Sequence, residues 1–536
     1  MQSCGELLVR LLERYGVDTV FGLPGNHTVQ LYRGLADSTL RHVSPRHEQG
    51  AAFMADGYAR ASGRPGVCFL ISGPGLTNAA TPMMQALADS IPMLVVTAVA
   101  ARRHLGLGEG RLHELPDQRG LASQVCRFSH TLMDPRDLPR VLARAFAVFA
   151  SQRPGPVHLE LPLDVIDAAV DQVDSAVWAL PSAPGPESAG LVAAAALLQA
   201  SKRPALVLGG GANGAGAAAL QVAETLDVPV FNTVNAKGVI PGSHPLSVGA
   251  SPSLQAVRDA LSASDVVLAV GTEWGETDYD MLFLGEIELG GNLIRVDIDA
   301  AQLARNQRPE LALVSDAGLF FEGLLPLLTP SERGGLRRAA ALRDAAAADG
   351  HVHADFAALF ATIKRASSDL ILVGDSTLPT YYAVWQYESE QPRRYFHSAT
   401  GGGTLGYAIP ASFGAKLAQP TLDVAALIGD GSAQFTLTEL AAGVELGLPV
   451  AVLIWNNGGY GEIKNGMLAA DMTPVGVDIY TPDLLRAAAA LGCHTASPQD
   501  LDELGVVMAS AFNRDRPTVI ELQQTRFLNK PAGDWY

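Results

Sequence analysis

The stretch 424–457 decides the fold: it reads VAALIGDGS at 424–432, LTELAAGVELG at 437–447 and PVAVLIWNN at 449–457. The first and third runs are apolar and rich in β-branched residues, which is typical of strands buried on both faces. The run between them has the character of a helix. Strand, helix and strand in this order predict a βαβ unit with two parallel strands.

The same alternation of apolar runs and helical segments extends over the whole chain. Further predicted strands are GVCFLI at 66–71, MLVVTAV at 93–99, PALVLGG at 204–210, DVVLAVG at 265–271, LIRVDID at 293–299 and LILVGDS at 370–376. The segments LPSAPGPES at 180–188 and LTPSERGG at 328–335 have the composition of linkers. We therefore predict three doubly wound α/β domains with parallel sheets, at residues 1–180, 189–330 and 340–536.

Polar residues follow both strands of the first unit at their carboxyl ends, where open α/β sheets bind ligands. Asp430 supplies a carboxylate, Asn457 an amide oxygen and Gly459 a backbone carbonyl, and these are ligands that suit Mg²⁺. Gly429 and Gly431 let backbone N–H groups approach phosphate oxygens. Either turn alone is compatible with an ordinary tight turn. Both turns together, at two consecutive strand ends, favour a site for Mg²⁺ and a diphosphate.

Charge and composition argue against several classes of partner. The chain has 536 residues and a formal net charge of −17, which disfavours nucleic acid or an anionic membrane as partner. Its four cysteines include no CxxC pair, so neither a zinc site nor a disulfide framework is indicated. No apolar run is long enough to span a membrane, and the N-terminus has the pattern of an amphipathic helix, not of a signal peptide. We therefore expect a cytoplasmic protein that acts on small molecules.

The GDGS stretch followed by NN resembles the cofactor-binding motif of thiamine-diphosphate-dependent enzymes. The resemblance extends along the chain, because PRHEQGAAFMADGYAR at 45–60 and SGPGLTNAA at 72–80 look like acetolactate synthase and benzoylformate decarboxylase. GGG at 209–211 and NAKGVIPGSHP at 235–245 fit the same group. The resemblance implies thiamine diphosphate (ThDP) and Mg²⁺ as cofactors. It also implies a pyrimidine-binding, a middle and a diphosphate-binding domain, in that order.

The resemblance also assigns residues to the cofactor. It implies that Glu48 hydrogen-bonds the aminopyrimidine ring and takes part in the proton transfer that activates the cofactor. Leu405 matches the apolar residue that holds the cofactor in a bent form, and the Gly403 carbonyl matches the acceptor of its amino group. Further implied contacts to the cofactor are Asp375, Ser376, Thr377, Gly429, Gly431, Ser432 and Tyr460.

Departures from the relatives narrow the reaction. Acetolactate synthases carry a Gln near Val99 and an Arg-Phe-Asp-Asp-like stretch that helps to hold FAD, where this chain reads GTEWGETDYD at 271–280, so FAD is not expected. Benzoylformate decarboxylase has His and Ser where this chain has Ile71 and Asn26. The paired histidines of pyruvate decarboxylases have no counterpart in the sequence. A plain aromatic or pyruvate decarboxylase is therefore disfavoured.

Acidic residues are the distinctive feature of this chain. Glu276, Asp278 and Asp280 lie in a middle-domain loop that approaches the active site in relatives, and carboxylates bind a guanidinium through paired hydrogen bonds. The same acids are compatible with ordinary surface charge. The segments GRLHELPDQ at 110–118, GTEWGETDYD at 271–280 and WNNGGYGEI at 455–463 look most like 2-ketoarginine decarboxylases of this superfamily. The resemblance places Asn26, His27, His113, Glu114 and Glu462 around the reacting groups.

The resemblance implies non-oxidative decarboxylation of a 2-oxo acid to an aldehyde and CO₂, with 5-guanidino-2-oxopentanoate as the favoured substrate and 4-guanidinobutanal as product. Three alternatives stay open. They are a carboligase of the acetolactate synthase type, another 2-oxo acid decarboxylase of the benzoylformate decarboxylase type, and a ThDP-binding regulatory subunit without activity. A homodimer or homotetramer with active sites at the subunit interface is implied as well.

Overall fold

Three parallel β-sheets follow one another along the chain, each flanked by helices. They are seen in a computed structural model that describes residues 2–170, 175–249, 251–348 and 354–528. The architecture confirms the predicted α/β class with three doubly wound domains. The parts of the predicted domains at 1, 171–174, 250, 349–353 and 529–536 lie outside the described residues.

The first sheet has the strand order β2-β1-β3-β4-β6-β5. Its strands are β1 Thr19–Gly22, β2 Arg41–Val43, β3 Gly66–Leu70, β4 Met93–Val99, β5 Phe128–Thr131 and β6 Pro156–Pro162. The helices around it are Cys4–Arg14, Val29–Ala36, Glu48–Ser62, Pro74–Ala88, Gln118–Ser123, Leu138–Ser151 and Leu163–Ile166. Strands β3 and β6 are buried along their whole length, because helices cover both faces of the sheet.

The middle sheet has the order β11-β10-β9-β7-β8. Its strands are β7 Pro204–Leu208, β8 Val230–Asn232, β9 Val266–Val270, β10 Asn292–Asp297 and β11 Leu311–Val314. Its helices are Ser188–Ala200, Gly216–Leu226, Gln255–Ser262, Met281–Leu284, Ala300–Leu303, Ala317–Leu324 and Gly335–Ala347. Strand β8 lies beside one edge of β7, and strand β9 lies beside the other edge. The connections that follow β7 and β9 therefore run in opposite directions along the sheet.

The third sheet has the order β13-β12-β14-β15-β17-β16. Its strands are β12 Leu370–Gly374, β13 Tyr395–His397, β14 Asp423–Gly429, β15 Val450–Asn456, β16 His494–Ala496 and β17 Thr518–Gln523. Its helices are Ala354–Ala366, Leu378–Gln386, Ala408–Ala418, Asp430–Thr436, Leu440–Glu445, Gly461–Ala469, Leu484–Ala490, Leu501–Ala511 and Gln524–Phe527. Counted from its first strand, this order is the same as that of the first sheet. The first and third domains therefore share one topology, which the middle domain does not.

A close helix pair joins the first domain to the third. Helix Glu48–Ser62 packs against helix Ala408–Ala418, and a Cβ atom at Gly57 would lie 2.0 Å from the Ala411 carbonyl oxygen. A Cβ atom at Gly414 would likewise lie 1.9 Å from the Met54 carbonyl oxygen. Both positions therefore require glycine, because a side chain would force the helices apart. The order of these contacts shows that the two helices run antiparallel.

The helix Gly335–Ala347 belongs to the middle domain by its contacts. Arg338 donates a hydrogen bond of 2.9 Å to the Pro204 carbonyl at the start of β7. Ala339 lies in the same apolar cluster as Val257 of a middle-domain helix. The predicted start of the third domain at residue 340 thus falls inside a helix that packs on the second domain.

The N-terminal segment forms the expected amphipathic helix, Cys4–Arg14, with a capping box between Ser3 and Glu6. Among the described helices, none is both long and apolar enough to cross a membrane. The four cysteines are all buried and free: Cys4, Cys68, Cys126 and Cys493.

Candidate active site

Three oxygen atoms meet where β14 and β15 end. Asp430 directly follows β14, and Asn457 and Gly459 lie in the loop after β15. The Asn457 Oδ1 atom lies 3.1 Å from Asp430 Oδ1 and 2.9 Å from the Gly459 carbonyl oxygen. Three acceptors at this distance repel one another unless the amide turns to present its N–H groups or a cation lies among them. The structure therefore brings the three predicted metal ligands together.

The spacing of these oxygens suits a small divalent cation. Mg²⁺ binds oxygen at about 2.0–2.1 Å in octahedral geometry, so neighbouring ligands lie roughly 2.9–3.0 Å apart. A carboxylate, an amide oxygen and a backbone carbonyl are also the oxygen types that Mg²⁺ accepts. Asp430, Asn457 and Gly459 could hold such an ion with three positions left for phosphate oxygens or water.

The Asp430 carboxylate is held in a fixed orientation. The residue is completely buried, Thr481 Oγ1 donates to its Oδ2 at 2.8 Å, and the Asn457 backbone N–H donates to its Oδ1 at 3.3 Å. Burial raises the pKa of Asp430, so a nearby cation would stabilise its charged form. Thr481 was not identified from the sequence, because it lies 51 residues downstream of its partner.

Glycine is required in the loops around this point. At Gly459, φ is 151° and a Cβ atom would lie 2.3 Å from the Val477 carbonyl oxygen. A Cβ atom at Gly431 would lie 2.8 Å from the ring of Tyr460. The loop after β15 is fixed by the Tyr460 N–H, which donates to the Val477 carbonyl at 2.9 Å. Backbone atoms can therefore approach a ligand here without a side chain between them.

The predicted diphosphate contacts differ in how they are engaged. Asp375 is completely buried, and its carboxylate accepts hydrogen bonds from the N–H groups of Ser376 and Ala408 and from Ser432 Oγ. Burial raises the pKa of Asp375 to about 6. Ser432 Oγ in turn accepts from the Gly406 N–H at 2.7 Å. In the structure Asp375 thus joins three loop segments, while its contact with a diphosphate stays a prediction.

The loop that carries Gly403 and Leu405 is open on one side. Gly403 has φ 61°, is exposed, and a Cβ atom there would meet nothing within 4 Å. Leu405 is half-buried beside it. Thr377, which begins the helix after β12, lies 3.2 Å from the position of a Cβ atom at Gly429. Together with the metal ligands, these residues form one half-site at the carboxyl ends of β12, β13, β14 and β15.

A second half-site lies in the first domain at the carboxyl ends of the corresponding strands. Glu48 begins the helix after β2, is half-buried, and accepts a hydrogen bond of 2.9 Å from Asn78 Nδ2. Its position is fixed from the third domain, because Glu439 accepts hydrogen bonds from the backbone N–H groups of Arg46 and His47. Burial, with a contribution from the charge of Glu48, raises the pKa of Glu439 to about 7.

Two histidines form a pair in this second half-site. The His27 and His113 rings lie edge to face with centroids 5.2 Å apart, and His27 Nδ1 lies 2.6 Å from Ser72 Oγ. Burial and the neighbouring His113 lower the pKa of His27. The two histidines are 86 positions apart in sequence, so their contact could not be recognised from a local motif.

A buried glutamine positions the loop that carries His113. Gln118 accepts a hydrogen bond of 2.8 Å from the Gly73 N–H and donates to the Ala98 carbonyl and to Glu160. The His113 carbonyl lies so close to Gly73 that a Cβ atom there would be 2.4 Å away. Gln118 was not identified from the sequence, although it connects the histidine loop to the turn that carries Ser72.

The remaining candidates from the first domain lie close to this pair. Asn26 begins the turn Asn26–Thr28 and is exposed. Glu114 is half-buried, and its carboxylate accepts from the N–H groups of Gly108 and Arg111. The Glu114 side chain therefore stabilises the loop in which it lies by binding the backbone of Gly108 and Arg111. A direct catalytic role for Glu114 stays a prediction.

The candidate acids for substrate recognition face different surroundings. Glu276 is exposed, Asp278 lines a cavity between domains, and Asp280 precedes a short helix near Arg258. Glu462 begins the helix after the metal loop and is half-buried. Burial and then the charge of Glu462 raise the pKa of Tyr381 to about 12, which places Glu462 near the helix after β12.

Comparison with known protein families gives matches in all three domains. The profile of the thiamine pyrophosphate enzyme N-terminal TPP binding domain matches residues 2–121. The profile of the central domain matches residues 191–324, and that of the C-terminal TPP binding domain matches residues 375–522.

Relatives match over nearly the whole chain. A probable 2-ketoarginine decarboxylase of Pseudomonas aeruginosa is 44% identical over 528 residues, which cover 97% of this chain and 94% of that protein. An acetolactate synthase of Mycobacterium bovis is 32% identical, with 96% and 87% covered. The large subunit of an Escherichia coli acetolactate synthase isozyme is 29% identical, with 97% and 93% covered.

Proposed function

The chain belongs to the thiamine pyrophosphate enzyme family, and on this basis we propose that it decarboxylates a 2-oxo acid to an aldehyde and CO₂. The proposed cofactors are ThDP and Mg²⁺, and the favoured substrate is 5-guanidino-2-oxopentanoate. The main support for the substrate is the 44% identity to a probable 2-ketoarginine decarboxylase. Further support comes from the carboxylate at Glu462 beside the metal loop.

The residues of the third domain fit the cofactor. When bound, ThDP supplies the nucleophilic carbon and the electron sink that decarboxylation of a 2-oxo acid needs. The convergence of Asp430, Asn457 and Gly459 oxygens at 2.9 and 3.1 Å carries the assignment of Mg²⁺. Gly403 and Leu405 offer an open, partly apolar surface next to these ligands. The chain thus binds the anionic end through a cation and the rest of the cofactor through loop atoms.

The first domain supplies the groups that move protons. The Glu48 carboxylate, oriented by Asn78, would hold a proton at the ring nitrogen of the aminopyrimidine. The His27 and His113 pair would pass a proton to the product carbon, because burial and the neighbouring His113 lower the pKa of His27 and so favour release of a proton from its imidazolium form. Such a pair can accept one proton and deliver it at the reacting group.

Glu462 is the candidate that distinguishes substrates. A carboxylate forms two parallel hydrogen bonds with a guanidinium, but only point contacts with an ammonium group. An apolar side chain cannot make these charge-assisted hydrogen bonds, so an apolar substrate lacks the binding energy that they contribute. We therefore expect kcat/KM to fall ~10²-fold or more from the guanidino acid to an apolar acid of equal length.

The test is CO₂ release from 5-guanidino-2-oxopentanoate, 6-amino-2-oxohexanoate and 2-oxohexanoate. The ammonium substrate should fall between the other two. Glu462→Gln should reduce this discrimination, whereas Asp471→Asn, an exposed change just beyond the same helix, should preserve it. Equal rates for the apolar and guanidino acids would reject the substrate, although decarboxylation itself would stand.

Three alternatives have their own outcomes when pyruvate and aromatic 2-oxo acids are added to the experiment. Acetolactate formed from pyruvate alone would indicate a carboligase, which the identity of 32% to an acetolactate synthase makes worth testing. Absence of CO₂ release from every 2-oxo acid, despite bound ThDP, would indicate a regulatory subunit. Release from aromatic 2-oxo acids only would indicate the benzoylformate decarboxylase type.

We also propose that each active site combines the two half-sites from different chains of a homodimer or homotetramer. Large apolar side chains near both half-sites are more than half exposed in the single chain, and a partner would bury them: Leu107, Leu112, Phe435, Ile463, Met472, Val475 and Tyr480. Mixing Glu48→Gln chains with Asp430→Ala chains tests this. After random exchange of equal amounts, about half of the dimers are mixed, and each mixed dimer has one intact site out of two. Activity should therefore recover to ~25% of the wild-type value. No recovery, despite demonstrated chain exchange, would place each site within one chain.

A further inference from the structure

A cavity of about 390 Å³ opens at the carboxyl end of the middle sheet. Gly210 and Gly211 after β7, Thr272 after β9 and Asp297 at the end of β10 line it. Because β8 and β9 lie on opposite sides of β7, this is the point where the strand order reverses. Open parallel sheets bind ligands at such reversal points, and the volume is in the range of small-molecule sites.

The other walls of the cavity come from the two outer domains. Arg60 and Asp89 of the first domain and Thr400 and Gly401 of the third domain face the middle sheet. Neither Glu48 nor the metal ligands line this cavity. It is therefore a separate space from the two half-sites, although Gly401 lies only two positions before Gly403.

Three buried oxygen atoms of the lining residues have no hydrogen-bond partner among the described residues. They are Asp278 Oδ1, Asn213 Oδ1 and Thr400 Oγ1, and the Thr400 side chain is only 6% exposed. All three can accept a hydrogen bond, and buried acceptors are almost always paired. The unmet requirement of these walls is for N–H or O–H donors.

The charges of the lining residues also favour a ligand that donates hydrogen bonds. Every guanidinium in the lining already has a partner: Arg60 pairs with Asp89 at 2.6 Å, Arg153 with Glu273 at 2.8 Å, and Arg393 donates to the Arg60 carbonyl at 3.1 Å. Asp278 has no cationic partner among the described residues, and the charges that act on it are those of Glu273 and Asp89. An ionised Asp278 therefore favours a positive charge at its end of the cavity.

We infer that this interdomain cavity binds a small organic cation rich in N–H donors, of the guanidinium class, with Asp278 as its ionic anchor. A planar guanidinium has five N–H donors and no acceptor, which matches three unpaired oxygens on separate walls. The three oxygens belong to the middle and third domains, so binding of the ligand would stabilise the arrangement of these two domains next to the loop that carries Gly403. The inference does not depend on the proposed substrate.

The test uses butylguanidinium, which has no 2-oxo acid group and cannot react, and butylurea as its neutral isostere. Calorimetric titration of the holoprotein at pH 8 should show one butylguanidinium site per chain, with butylurea at least tenfold weaker. Asp278→Asn and, independently, Thr400→Val should weaken butylguanidinium, the first by at least tenfold. Glu288→Gln, an exposed change in the middle domain outside the cavity lining, should bind as wild type does.

Several outcomes would overturn the inference. One is the absence of butylguanidinium binding at concentrations up to ~10 mM. The others are equal affinity for butylurea and butylguanidinium, or wild-type affinity in both Asp278→Asn and Thr400→Val. Loss of binding in Glu462→Gln alone would assign the ligand to the reaction site instead. Stoichiometric binding of FAD or ADP that Asp278→Asn leaves unchanged would show that the cavity serves an anionic ligand. CO₂ release from the guanidino acid is measured separately, so this inference and the proposed function can fail independently.

Discussion

Replacement of Asp278 by Asn should stabilise the protein more at pH 8 than at pH 5. Burial, and then the charges of Glu273 and Asp89, raise the pKa of Asp278 from 3.8 to about 7. Folding therefore favours the neutral carboxyl, and its ionisation is unfavourable in the folded state. Asn keeps the size of the side chain and can still accept the hydrogen bond from the Val234 backbone that Asp278 accepts. The substitution removes only the charge.

The sign and size of the effect follow from the two pKa values. The stability cost of Asp278 begins as pH rises above 3.8, grows until the pH passes about 7, and is constant above that. At about 1.4 kcal/mol per pKa unit, the cost is about 4 kcal/mol at pH 8 and a little under 2 kcal/mol at pH 5. The gain from Asp278→Asn should therefore be larger at pH 8 by about 2.5 kcal/mol.

Urea unfolding of variant and wild type, side by side at pH 5, 6.5 and 8, measures this difference. Trp274 is completely buried and stacked on Tyr279 in the same loop, so its fluorescence reports on the region concerned. Glu276→Gln serves as the control, because it removes an exposed carboxylate from the same loop. A gain from Asp278→Asn that is constant with pH, or largest at pH 5, would refute a buried and unpaired carboxylate at this position.

Three further substitutions test the two half-sites. Glu48→Gln should still bind ThDP but lose ~10²–10⁴-fold in kcat, because the amide cannot transfer the proton; wild-type exchange of the cofactor C2 proton by NMR would contradict the role. Asp430→Ala should lose Mg²⁺-dependent ThDP retention in a fluorescence titration, and unchanged affinity would reject the metal assignment. Gln118→Met should lower kcat and displace the pH profile by freeing the His113 loop; a lower melting temperature with an unchanged profile would leave Gln118 a purely structural role.

The sequence predicted those parts of the fold that have a local signal. Strands of five to seven apolar residues, such as Met93–Val99 and Val450–Asn456, could be recognised because both faces are buried. Strands of three residues, such as Arg41–Val43 and His494–Ala496, are too short to show a period of two. The shared strand order of the outer domains was not visible either, because topology depends on pairing between distant segments.

In the candidate active site, too, only residues with a local sequence signal could be predicted. Asp430 and Asn457 could be predicted as partners because each follows a recognisable strand, and parallel strands end at the same edge. The contact of Glu439 with residues 46 and 47 joins positions more than 390 apart, for which the sequence carries no local pattern. Such contacts depend on the packing of the outer domains, which is determined by close helix contacts such as that of Gly57 with Ala411.

The equal topology of the outer domains explains how chemistry is divided in this chain. Both carry their polar residues on the loops after four adjacent strands, with Glu48 and His27 in the first domain and Asp430 and Asn457 in the third. In the proposed function one set would supply proton-transfer groups and the other oxygen ligands for a cation, so neither would be complete alone. The middle sheet has a different strand order, and its reversal point lies beside both outer domains. A ligand there would act on how the two halves are held together and not on the reacting atoms.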